Sequence, residues 1–233
     1  MNDTALPRIA GVFLLASLMT NMMAFFIGTS RGLAPPPAFD FGDTQQLVRL
    51  SAESGAHLFP LTLSLLSPVL AIPAGLGIYH VLRAAGWPAL FGVVMFFVGM
   101  IFVVLLDVLE LIAIARIAPS FGAAPDFARP SIQALGGAVD TAIDVLGYVG
   151  HFFSFGLAQL AFGIAIIKVP RISNWLGGLA FIPGVLIGWL APLVAMTGQS
   201  PAPVIGIGII AFVTWLIGMV VVLLRWRPAV ATR

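Results

Sequence analysis

The chain has 233 residues, of which 60% are apolar and 9% charged, with a formal net charge of +2. A soluble domain is about 45–50% apolar and about 25% charged, so a water-facing globule and a disordered chain are both excluded. Cysteine is absent, which removes disulfides, thiolate metal sites and cysteine nucleophiles, and no run of basic residues is present to attract nucleic acid.

The composition predicts an integral membrane protein, and the uncharged gaps give its spans. A spanning helix needs about 20 mostly apolar residues. The 22 residues between Arg8 and Arg31 hold the first. Its apolar run, Ile9 to Ile27, is too long for a typical signal-peptide core and no small-x-small cleavage site follows, so it reads as a retained span. The 29 residues between Glu53 and Arg83 hold the second, roughly Leu58 to Val81. The 32 between Arg83 and Arg116 and the 38 between Arg129 and Lys168 hold the third and fourth, each with two acids. The 53 between Arg171 and Arg225 hold the fifth and sixth, with a turn near Thr197 to Pro203.

The expected fold is therefore all-α, a single domain over residues 1–233 formed by six transmembrane helices, with outer loops at about 28–56 and 117–133. Pro35, Pro36 and Pro37 predict extended chain in the first of these loops. Asp43 or Thr44 is placed to cap a short surface helix running to Ser54. Pro119, Pro125 and Pro130 break the second loop. With the N-terminus inside, the inner side receives Arg8, Arg83, Lys168, Arg171, Arg225, Arg227 and Arg233, and the outer side Arg31, Arg49, Arg116 and Arg129. That bias puts both termini in the cytoplasm. Trp87, Trp175 and Trp226 fall at inner helix ends, where interfacial anchors belong.

Two patterns are generic. Pro60, Pro68 and Pro73 in the second helix and Pro183 and Pro192 in the fifth suit inverted repeats around a transport site, but prolines also kink helices that transport nothing. Gly184 and Gly188 form a G-x-x-x-G, a spacing that chance supplies in a chain with 25 glycines.

Ionisable residues within spans carry the chemical information, because each costs at least about 2.5–3.5 kcal/mol at a helix centre. Asp107 and Glu110 are three apart on the third helix and share a face. Asp140 and Asp144 are four apart on the fourth, and Tyr148, His151, Ser154 and Gln159 fall with them in an arc of roughly 140°. The expectation is one polar stripe turned to the bundle interior. Helix direction puts all four acids in the outer third of the membrane, with His57 at the same level and Asn21 in the outer half of the first helix. Four carboxylates at one level in a low dielectric must be partly protonated, paired with Arg116 or another arginine, open to water, or bound to a cation.

Asp107, Glu110, Asp140, Asp144 and His57 are accordingly the candidate cation site. Carboxylate ligands suit a hard divalent metal or a di-iron pair, although the doubled Glu-x-x-His pattern of di-iron bundles is absent. Tyr148 and His151 continue the row inward as candidate proton-relay residues; His151 lies about 10 Å beyond Asp144, too far to share its ion easily. No residue is assigned a catalytic role, and no nucleotide loop, serine triad or zinc motif is present.

The opening Arg8-Ile9-Ala10-Gly11-Val12-Phe13-Leu14-Leu15 and the run Val169-Pro170-Arg171-Ile172-Ser173-Asn174-Trp175-Leu176-Gly177-Gly178-Leu179, together with six helices in a chain of this length, resemble the bacterial membrane family called domain of unknown function 4386. The resemblance implies a multi-pass protein of the bacterial inner membrane. It carries no established activity and no site residues. The expected function is a small membrane protein whose outward-facing acidic pocket binds a cation or proton, in transport, sensing or support of a membrane complex. One alternative is a structural or accessory subunit, packed against other membrane proteins or itself, with the acids as polar glue. The other is an intramembrane carboxylate-ligated metalloenzyme with a divalent metal as cofactor. The bilayer is the expected partner and nucleic acid is not.

Overall fold

The computed structural model describes residues 5–30 and 40–227, and every regular element among them is helical. Six helices are long and apolar enough to cross a membrane. They are α1 (Ala5–Ser30), α2 (Thr44–Ala85), α3 (Trp87–Ala123), α4 (Arg129–Ile167), α5 (Asn174–Met196) and α6 (Ala202–Arg225). Helices follow from the solvent: hydrocarbon offers backbone N–H and C=O groups no partners, and a helix satisfies them within one segment. Arg31, the Pro35–Pro37 stretch and Arg233 lie outside the described residues.

The loops are shorter than expected. α2 begins directly after Asp43, whose Oδ1 accepts from the Gln45 N–H at 2.9 Å and whose carbonyl accepts from the Leu47 N–H at 2.9 Å. The separate surface helix expected up to Ser54 is instead the opening of α2, held down by the buried Leu47 and Leu50. Removing this cap in Asp43→Ala is expected to cost about 1 kcal/mol, read as a lower melting temperature and faster proteolysis near Thr44. Unchanged values would show that the cap contributes nothing. The second loop shrinks to residues 124–128, because α3 continues through Pro119.

Wide π-type turns explain that continuity. They occupy Ala113–Ile117 in α3, Phe152–Leu157 in α4 and Leu186–Leu190 in α5. Pro119 and Pro192 each stand two residues beyond one of them. A proline lacks the N–H and its ring crowds the carbonyl four residues back. The wide turn moves that carbonyl aside, so the helix passes through.

Helix length changes the reading of depth. α2, α3 and α4 have 42, 37 and 39 residues. At 1.5 Å per residue they are roughly 55–63 Å long, against a hydrocarbon core of about 30 Å. Even a steep tilt leaves part of each outside the core. The expectation that all four acids lie inside the bilayer assumed helices of one membrane thickness, and these are longer.

The chain divides into two compact units: Met1–Leu18, Val69–Ile101 and Val149–Arg233 form the first, and Met19–Pro68 with Phe102–Tyr148 the second. The first packs on small residues. Gly156 on α4 meets Gly188 on α5, and a side chain on Gly188 would sit 2.7 Å from the Gly156 nitrogen and against its Cα. Gly163 similarly lies against the Gly177 carbonyl, and Gly99 on α3 against Gly150 and Ser154 on α4. Phe162 stacks on Trp215 of α6 at 6.0 Å. The Gly184–Gly188 pair is thus used within the chain, Gly184 resting on Leu160.

The second unit has a conventional apolar core. Phe41, Leu47, Leu50 and Leu61 pack with Leu106, Ile114, Ile117, Phe121 and Ile143. The segment before α2 folds over α4: Gln133 donates to the Gly42 carbonyl at 2.7 Å, and Gly136 leaves room for the Phe41 carbonyl, which any side chain there would strike.

Candidate functional site

Asp107, Glu110, Asp140, Asp144 and His57 all belong to the second unit. Asp107 and Glu110 share the buried face of α3 and are 4% and 1% exposed. Asp107 Oδ1 accepts from the Ser64 hydroxyl of α2 at 3.3 Å. Asp107 Oδ2 and Glu110 Oε2 are buried without a hydrogen-bond partner.

The α4 acids are placed differently. Asp140 is half-buried and Asp144 exposed. Asp140 interacts electrostatically with Glu110 across the two helices and with Asp144 one turn along its own. It also accepts a hydrogen bond from the Phe41 backbone. The four carboxylates therefore run from the exposed Asp144 through the half-buried Asp140 to the buried Glu110 and Asp107, the last of them meeting the Ser64 hydroxyl.

The expectation that the polar stripe of α4 faces inward holds for Ser154 and Gln159, which are buried, and is corrected for Asp144 and Tyr148. Asp144 is exposed and Tyr148 is 50% exposed. The buried face runs through Gly136, Ile143, Gly147, Gly150 and Ser154. The reason is the close approach of other helices: a side chain on Gly147 would lie 3.1 Å from Leu106, and one on Gly99 of α3 would lie 2.8 Å from the Gly150 carbonyl. Glycines take the closest approaches on that face, and Asp144 and Tyr148 turn away from it. Asn21 is likewise exposed.

His57 is 2% exposed, with Glu53 Oε2 at 3.9 Å from its Nε2. Arg116, offered as a counter-ion, is exposed and forms no ion pair among the described residues. No group of three or more His, Asp or Glu side chains among the described residues is placed to hold a metal ion. A divalent site built from the five candidates is therefore not assembled in this conformation.

His151 belongs to the first unit and packs edge-on against Phe155 at 5.3 Å. Ser154 spends its hydroxyl on the Gly150 carbonyl at 2.7 Å. Gln159 is fully buried with both amide atoms unpartnered, and so is the Trp215 indole nitrogen.

Sequence reasoning missed Ser64, although the signal was present: it stands seven residues after His57, two turns along the same face. It also missed the Phe41 backbone, which no side-chain pattern announces. No family model, curated protein or solved structure matches the chain, so the chemistry of the site rests on its own residues.

Proposed function

We propose that this is a multi-pass protein of a bacterial cytoplasmic membrane, akin to the family it resembles, with both termini in the cytoplasm and an acidic site that takes up a proton or small cation from the outer side. The role is transport, sensing or support of a membrane complex. The orientation is supported by charge. All described acids fall in the second unit, whereas the first carries Arg8, Arg83, Lys168, Arg171, Arg225 and Arg227 and no described acid. The connections that this orientation puts inside carry Arg83, Lys168 and Arg171, and short loops rich in arginine and lysine are retained in the cytoplasm.

The observation that carries the function is the pair of unpartnered buried oxygens on Asp107 and Glu110. Polar glue would spend those atoms on neighbouring helices. Two adjacent carboxylates out of water repel, and one bound proton or monovalent cation relieves that repulsion. Asp144 and Asp140 supply the approach from water. The proton is favoured over a divalent metal because the described residues offer no three-ligand grouping, while Ca and Mg sites are built from several oxygens.

Infrared difference spectra of the purified protein, recorded across a pH titration, test this reading. A carboxylic-acid carbonyl band that Glu110→Gln or Asp107→Asn removes is expected. Absence of such a band, with no sodium-, calcium- or magnesium-dependent shift in melting temperature, overturns it.

A further inference from the structure

We infer that the cavity at the end of α6 binds a phosphate group, presented as the headgroup of an anionic lipid. The cavity has a volume of about 290 Å³ and is lined by Arg171, Val221, Val222, Arg225, Trp226 and Arg227. Three arginines thus line one cavity with two valines and a tryptophan. Arg171, from the α4–α5 connection, donates through Nη1 to the Arg227 carbonyl at 3.5 Å, which ties that connection to the chain leaving α6. All three arginines are exposed.

Nothing in the described chain neutralises them. The ion pairs among the described residues join Arg49 and His57 to Glu53 and Arg129 to Asp126, all within the second unit. Among the described residues no acid lines this cavity, so the anion we assign to it is one brought by another molecule. Guanidinium forks match the tetrahedral oxygens of phosphate, two N–H groups at a time. Valines beside the charges suit the start of an acyl chain, and a tryptophan beside them suits the headgroup level of a bilayer. Basic cavities at the cytoplasmic ends of membrane helices are where lipid phosphates are met. This site is independent of the carboxylate series and survives its failure.

Native mass spectrometry of the detergent-solubilised protein with phosphatidylglycerol or phosphatidylcholine tests the assignment. Wild type is expected to retain phosphatidylglycerol preferentially. The triple variant Arg171→Gln, Arg225→Gln, Arg227→Gln is expected to lose on the order of a hundredfold in that affinity. Arg49→Gln with Arg116→Gln, which removes charge elsewhere, should not. Arg227→Gln alone, beyond the last helical residue, keeps the test valid if the triple variant melts early, and is expected to lose several-fold. A second arm compares melting in inorganic phosphate and in chloride at equal ionic strength. Stabilisation by phosphate in wild type but not the variant, without lipid preference, assigns the site to free phosphate. No preference in either arm, or an equal loss in the Arg49/Arg116 variant, overturns the proposal.

Discussion

Glu110→Leu is expected to make the protein more resistant to unfolding, by about 1–3 kcal/mol, while erasing the proton or cation response proposed above. Glu110 is almost wholly buried, and its Oε2 has no partner. Taking a carboxyl oxygen out of water without a hydrogen bond is unfavourable, and an apolar side chain of similar size does not carry that cost. The nearby carboxylates of Asp107 and Asp140 add repulsion that leucine also removes. Asp107→Leu should gain less, because it leaves the Ser64 hydroxyl without its acceptor. Melting of the purified variants in detergent reads the sign. If Glu110 is a helix-joining contact, its loss lowers stability; a less stable Glu110→Leu would therefore remove the functional reading of the site.

Gly188→Ala is expected to destabilise the first unit by about 3 kcal/mol, the upper end for overpacking a tight contact. The added methyl would meet backbone, not the movable tip of a side chain: the Gly156 Cα and, at 2.7 Å, its nitrogen. Gly156 lies in the wide turn Phe152–Leu157 and Gly188 in Leu186–Leu190. Relief would need two helices to separate along a seam that also uses Gly163, Gly177 and Gly184. Gly178→Ala, on the same helix with nothing within 4 Å of the new methyl, is the matched control. It is expected to be neutral or to gain about 0.5–1 kcal/mol from reduced backbone entropy. Equal melting of the two variants would show that the crossing tolerates the extra volume.

Parts of the candidate site were legible before any coordinates. The three-residue spacing of Asp107 and Glu110 put both on one face of α3, and the structure buries both. The four-residue spacing of Asp140 and Asp144 put them on one face too, yet that face is turned only partly inward, with Asp140 half-buried and Asp144 exposed. The difference lies in what each helix must pack against. Leucine and isoleucine surround the α3 acids, so their face goes inward with the acids on it. On α4 a run of glycines competes for the interior, and close approach of backbones favours the smaller residues.

Composition and the gaps between charges sufficed for an all-helical membrane protein with six spans, because a chain so poor in charge has only lipid to face and lipid admits few backbone solutions. Asp43 was likewise legible as a helix cap, although the helix it caps is the opening of α2 and not a separate surface helix. Three matters were settled only in three dimensions: α3 continuing past Pro119, the ordering of the carboxylates from exposed to buried, and three arginines lining one cavity with no acid among the described residues beside them. Periodicity states which residues share a face. Which face turns inward, and which distant residue meets it, depends on how closely the backbones of different helices approach, and that is a property of the packed chain.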